Sequence, residues 1–119
     1  MPSVEDIILQ RIDAFQESYP YLFFEYDIQE TGLGERGLIT IMDEEGAPIG
    51  YEFVESETTW SDPDVIDELN DSAENDNYTA VIVPTEVLGN MREILYDQGG
   101  QNIFLLSYDS LKTILEKSF

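Results

Sequence analysis

The sequence predicts an α/β domain with one central mixed sheet, in the element order αβββαβαβα. Before residue 60, apolar residues alternate with a period of two, as in antiparallel hairpins. After residue 60, helical stripes alternate with short apolar strands, as in parallel strands joined by helices. The chain has 119 residues, of which 42% are hydrophobic, and we expect residues 1–119 to form a single domain around one core.

The first half predicts a helix and three strands. Ser3 and Asp6 are typical of a helix N-terminus, and Tyr19-Pro20 ends the pattern. The stripe between them consists of Val4, Ile7, Ile8, Ile12 and Phe15. Strands follow near residues 21–28, 37–43 and 48–54, with a flexible connection at 31–34 and a turn at 43–46. The second and third strands are therefore expected to form a hairpin.

The second half predicts two strands and three helices. Ser61-Asp62-Pro63 begins a helix that ends near Asn75. The strand at 78–83 leads into a helix that Gly99-Gly100 should end, and a strand follows at 103–106. Ser107 is predicted to cap a last helix whose inward residues are Leu111, Ile114 and Leu115. This order favours parallel pairing of the last two strands.

Charge and composition exclude several functional classes. Five Lys and Arg against 26 Asp and Glu give 5 minus 26, a net charge of −21, which repels nucleic-acid phosphates at moderate salt and anionic membranes. The absence of Cys and His leaves carboxylates as the main candidates for acid–base or metal chemistry. No apolar run reaches the roughly 18 residues of a membrane span, and the first residues lack a basic leader. We therefore expect a cytoplasmic location.

Three segments resemble the PD-(D/E)XK nuclease superfamily, the restriction-endonuclease-like fold. The hairpin from Arg36 to Val54 is similar to the family's central hairpin, and residues 80–84 and 103–106 are similar to its later strands. In that family a Pro-Asp pair opens strand two and a Glu-x-Lys closes strand three. The resemblance implies two acidic ligands for a divalent cation and a lysine that activates water.

Carried over by position, this catalytic pattern is incomplete. The metal-binding Asp falls on Leu38 and the lysine falls on Val54, whereas the acidic residue of Glu-x-Lys matches Glu52. Asp43 and Glu52 are weak candidates for metal ligands, and Glu5 or Glu17 could supply the acid that some members carry on helix one. The resemblance therefore implies an inactive nuclease scaffold without a cofactor, serving as a non-enzymatic binding or regulatory module. A residual metal-dependent nuclease activity is the less favoured alternative.

Glu52 has two interpretations. It is either a relic metal ligand or a structural residue, at an edge or solvent-facing strand position or paired with one of the scarce arginines. Arg36 is the nearest arginine in the sequence. We favour the structural interpretation.

The excess of acids also has two explanations. Salt adaptation is favoured, because acids are scattered over nearly every predicted element. The alternative is a DNA-mimic protein that inhibits a DNA-binding protein or restriction enzyme. Its partner-binding candidates recur at helical spacing: Asp64, Asp67, Glu68 and Asp71. A protein partner is expected, with a basic charge if the acids form a mimic surface, whereas under salt adaptation the charge says nothing about the partner. Homodimerisation stays open.

Overall fold

A computed structural model of the chain describes residues 3–75, 77–98 and 102–113. These ranges contain three α-helices and five strands, with short 3-10 turns at Thr85–Val87 and Tyr108–Ser110. In chain order the elements are α1 (Val4–Ser18), β1 (Phe23–Thr31), β2 (Gly34–Met42), β3 (Pro48–Val54), α2 (Pro63–Glu74), β4 (Tyr78–Val83), α3 (Leu88–Asp97) and β5 (Ile103–Ser107). No helix in these ranges is both long and apolar enough to cross a membrane.

The five strands form one mixed sheet in the order β1-β2-β3-β4-β5. The pairs β1/β2 and β2/β3 are antiparallel, whereas β3/β4 and β4/β5 are parallel. The predicted mixed α/β sheet, with parallel pairing of its last two strands, is therefore confirmed. The crossovers through α2 and α3 make the parallel pairs possible.

The helix α1 packs on one face of the sheet, against β1, β2 and β3. Its N-terminus has the predicted capping box between Ser3 and Asp6. The apolar face of α1 comes close to β2 at Gly37, where an added Cβ would lie 2.5 Å from Ile8 Cδ1. The lack of a side chain at Gly37 thus lets this helix lie directly on the sheet.

The helices α2 and α3 pack on the opposite face, mainly against β4 and β5. Asp62 caps α2 by accepting a hydrogen bond from the Asp64 amide at 3.0 Å, with Pro63 in the first turn. The side chains that α2 buries join a second apolar cluster with Val81 and Met91: Val65, Ile66 and Leu69. Helices therefore lie on both faces of the sheet, α1 on one face and α2 and α3 on the other.

The connection between β1 and β2 differs from the prediction. Residues 31–34 are a tight hairpin turn rather than a flexible connection, and β1 and β2 extend to Thr31 and Gly34. The Thr31 hydroxyl accepts from the Leu33 amide at 3.1 Å and donates to the Gly34 carbonyl at 2.8 Å. Gly34 has a φ of 134°, which favours glycine. Side-chain hydrogen bonding and one permissive residue thus fix the turn.

The start of the predicted last helix is a 3-10 turn rather than an α-helix, and its later residues lie outside the described ranges. Ser107 does act as a cap, accepting from the Asp109 amide at 3.3 Å, but the element it begins here is the 3-10 turn Tyr108–Ser110. The remaining predicted residues of that helix, Ile114 and Leu115, are not among the described ones. The same holds for Gly99-Gly100, the predicted end of α3.

Candidate functional site

Glu52 lies at the centre of the sheet and is fully buried, with 0% of its surface exposed. Its strand β3 pairs with β2 on one side and β4 on the other, which places Ile39 and Ala80 beside it in register. Of the structural alternatives, an edge or solvent-facing position is therefore wrong, because β4 pairs with the second edge of β3. Pairing with an arginine is confirmed. A carboxylate at this depth needs compensating partners.

The main partner of Glu52 is Arg11 of α1, not Arg36. Arg11 Nε donates to Glu52 Oε1 at 2.7 Å, and Nη2 donates to Oε2 at 2.9 Å, a bidentate arrangement. The remaining nitrogen, Nη1, donates to the carbonyls of Leu111 at 2.7 Å and Thr113 at 2.5 Å. The guanidinium also lies 4.4 Å from the centroid of the Phe15 ring. One side chain thus joins α1, β3 and the segment after β5.

Tyr78 completes this network. Its hydroxyl donates to Glu52 Oε2 at 2.6 Å, and its ring stacks on Phe104 with centroids 5.5 Å apart. The ring fits because Gly50 has no side chain: an added Cβ would lie 2.8 Å from Tyr78 Cδ2. We call Arg11, Glu52 and Tyr78 the Arg11 network.

Burial and charge set the protonation states in the Arg11 network. Burial, reinforced by the charge of Glu52, raises the pKa of Tyr78 well above its ordinary value. Burial alone would lower the pKa of Arg11, but hydrogen bonding and attraction to Glu52 outweigh it, so the pKa of Arg11 is raised. Arg11 is therefore charged and Tyr78 neutral at physiological pH.

A second buried pair lies on the opposite face of the sheet. Arg36 Nη2 lies 2.8 Å from Glu55 Oε2, and Arg36 Nη1 lies 2.9 Å from Glu68 Oε2 on α2. Thr59 donates to Glu55 Oε1 at 2.9 Å. Burial raises the pKa of Glu55, although the hydrogen bonds from Arg36 and Thr59 oppose the rise. This pair fastens the loop after β3 to α2.

Tyr108 ties the end of the sheet to the same loop. Its hydroxyl donates to the Glu55 carbonyl at 2.6 Å. Burial, with the charge of Glu55, raises the pKa of Tyr108 to about 12. The hydroxyl is therefore a neutral donor at physiological pH.

The three positions matched to the nuclease pattern do not converge. Glu52 and Val54 lie on the α1 face of the sheet, whereas Leu38 packs against the α2/α3 cluster on the other face. An aspartate at position 38 would therefore be separated from Glu52 by the sheet itself.

The other candidate acids have different surroundings. Asp43 closes the β2–β3 turn by accepting from the amides of Glu45 and Ala47, each at 2.9 Å. Glu5 accepts from the Tyr26 hydroxyl at 3.2 Å, and Glu17 is exposed. Within the described ranges, no three His, Cys, Asp or Glu side chains are grouped so that they could hold a metal ion.

The predicted partner-binding acids lie together on α2. Asp64, Asp67, Glu68 and Asp71 are all exposed, although Glu68 differs from the rest because it is also paired with Arg36. The helix contains no basic residue. Of the acids in the part of the chain that is described, only Glu52 and Glu55 are buried.

The basic residues have the opposite distribution. Arg11 and Arg36 are buried, which leaves Arg92 and Lys112 as the exposed basic residues of the described part. The surface there is therefore almost entirely anionic.

Sequence reasoning missed Arg11 and Tyr78. Arg11 had a detectable signal, because it occupies the next position of the apolar stripe formed by Ile7, Ile8 and Phe15. A charged residue at such a position indicates a buried ion pair. Tyr78 had no comparable signal, since a tyrosine at a strand start is ordinary.

Comparison with known proteins does not extend this description. The chain matches no family model, no curated protein and no solved structure. A functional assignment therefore depends on the residues and geometry of this chain.

Proposed function

We propose that the protein is a non-enzymatic binding module, built on a nuclease-like scaffold, that engages a positively charged protein partner. The observation that carries the proposal is the bidentate ion pair between Arg11 and Glu52. This ion pair neutralises Glu52, the carboxylate matched to the acidic residue of the family's Glu-x-Lys. The Tyr78 hydroxyl donates a further hydrogen bond to the same carboxylate. A carboxylate engaged in this way is a structural group and a poor metal ligand.

The nuclease-like part of the proposal is supported by topology. A helix precedes an antiparallel three-stranded meander, and a second helix returns the chain to a strand parallel to β3. This is the core order that the sequence resemblance implies. Because Leu38 and Glu52 lie on opposite faces of the sheet, the match to the family's metal ligands gains no support, and the proposed scaffold rests on the order of the elements.

The proposed charge of the partner follows from the surface. With its acids outside and two of its arginines inside, the protein attracts cations and repels anions over long distances. A basic partner also relieves the repulsion among the α2 acids, which lie three and four residues apart. A DNA-mimic inhibitor is one form of such a module.

Salt adaptation is the second explanation of the charge, and the dispersal of the acids favours it. Exposed acids occur on every helix and on the edge strand, for example Asp13, Glu25 and Glu93. Concentrated salt would screen their repulsion without any partner, because the screening length is about 3 Å at 1 M. Salt adaptation and a basic partner are compatible, because salt screens the interactions between charges but does not weaken apolar contacts with a partner.

Cleavage assays test the non-enzymatic proposal. Purified protein is incubated with magnesium or manganese and with plasmid or single-stranded DNA, and we expect no cleavage. Cleavage that Glu52→Ala abolishes, while the turn variant Asp43→Asn retains it, would overturn the proposal. Circular dichroism confirms that both variants are folded.

A further inference from the structure

In the part of the chain that the structure describes, helices cover one region of the sheet less than the rest. The helices α2 and α3 pack mainly on β4 and β5, so on that face β1 is left uncovered by them and β2 is only partly covered. Side chains that are opposite in register share this face: Phe23 with Met42, Glu25 with Thr40, and Asp27 with Leu38. We call these six residues the open sheet face.

The open sheet face carries three apolar side chains, Phe23 and Met42 at one end and Leu38 at the other. Phe23 has 56% of its surface exposed, which is high for a phenylalanine on a strand, whereas Leu38 and Met42 are half-buried. Tyr51 of β3, next to Thr40, continues the apolar surface towards α2. A partly exposed apolar surface of this kind marks an interaction site more often than a scattered single residue does.

Acids lie on both sides of the apolar residues of the open sheet face. Glu25 and Asp27 lie on the edge strand β1 and are exposed. On the other side, Glu68 of α2 reaches Arg36 of β2, which places that side of the helix beside the open sheet face. Asp64 and Asp71 lie four residues before and three residues after Glu68, on the same side of α2. The apolar floor thus has acidic edges.

We propose that the open sheet face binds a cationic amphipathic helix of a partner protein. This inference deepens the proposed function and rests on it. Two strands with their flanking space are about 10 Å wide, which matches the diameter of one helix. A helix there would complete the layer that α2 and α3 begin, with apolar residues on Phe23 and Met42 and basic residues towards Asp27 and Glu68.

Other occupants fit less well. A second copy would bring another chain of net charge −21 against the acidic edges. Salt adaptation accounts for the acids, but it gives no reason to expose Phe23. A cationic and apolar partner accounts for both features.

Synthetic peptides test the inference. The probe is a helix of about 14 residues, about 21 Å long, with leucines on one face and lysines on the other. A peptide of the same composition in scrambled order tests amphipathicity, and a peptide with glutamates in place of lysines tests charge. Binding is measured by fluorescence anisotropy, at the lowest KCl concentration that keeps the protein folded. NMR amide shifts locate the bound peptide.

We expect the lysine helix to bind most tightly and to shift amides of β1 and β2. Phe23→Thr should weaken binding by about tenfold or more, because it removes an aromatic side chain that the peptide would bury. Tyr96→Thr is the matched control, since Tyr96 is an aromatic on α3 that is 87% exposed and away from this face. This control should bind like the wild type.

The possible results test the proposed binding site and the proposed function separately. Equal binding to wild type and Phe23→Thr, or shifts confined to the outer side of α2, would overturn the site and leave a cation-binding module. If the lysine helix binds no better than the glutamate helix, the proposal of a cationic partner is wrong, and the proposed binding site is wrong with it. A dimer without peptide that Phe23→Thr dissociates would assign the face to a second copy and contradict the inference.

Discussion

Arg11 lies in the apolar stripe of α1, where a charged residue is tolerated because four hydrogen bonds, two of them to a carboxylate, compensate for its burial. The Glu52 carboxylate accepts hydrogen bonds from Nε and Nη2, and the carbonyls of Leu111 and Thr113 accept hydrogen bonds from Nη1. Moving two charges out of water is costly, and attraction offsets that cost only when the geometry is good. The network therefore specifies how α1 lies on the sheet rather than simply adding stability.

Changing either member of this pair should be strongly destabilising. Glu52→Gln and Arg11→Met are each expected to lower the free energy of unfolding by about 3–5 kcal/mol, because each leaves a buried charge or its partners unpaired. The double variant should lose about 2 kcal/mol less than the sum of the single losses. Urea unfolding in the presence of KCl measures the free energy of unfolding of the two single variants and of the double variant.

Arg92→Met is the control for this cycle, since Arg92 is exposed. It should change the free energy of unfolding by no more than about 0.5 kcal/mol. Strictly additive losses for Arg11→Met and Glu52→Gln would contradict a direct interaction between the two side chains.

Elements were predictable where one physical signal dominated. The caps at Ser3 and Asp62 and the apolar strand at Tyr78–Val83 follow from local chemistry, and they lie where the sequence predicted them. The position of Glu52 could not be derived in this way, because its burial depends on β4 pairing with β3 across an intervening helix. The partner of Glu52 is 41 residues away in sequence, so the apolar stripe of α1 can indicate that Arg11 is buried but not which acid it pairs with.

The helix α2 provides a test at the scale of an element. Asp71 lies near its C-terminus, where the helix dipole disfavours an acid, and it lies four residues from Asp67. We expect Asp71→Asn to raise the free energy of unfolding by about 0.5 kcal/mol at low salt and by almost nothing at about 1 M KCl. Urea unfolding at the two salt concentrations measures this difference.

Asp64→Asn is the matched control on the same helix. Asp64 lies in the first turn, where the dipole favours an acid, so its neutralisation should not stabilise the protein. Equal gains from both substitutions would show that position along the helix has no influence.

At the scale of the molecule, charge is divided between inside and outside. The interior of the described part uses Arg11 and Arg36 to neutralise Glu52 and Glu55, and nearly all other acids there face solvent. The fold is held by apolar clusters on both faces of the sheet, while its surface repels itself. Solvent cations or a basic partner must relieve that repulsion.

The melting temperature of the wild-type protein as a function of KCl is the most direct measurement of this division of charge. From about 0.1 M to about 2 M KCl we expect it to rise steeply, because screening removes repulsion among surface acids that few exposed cations oppose. A melting temperature that stays flat over this range would contradict a self-repelling surface.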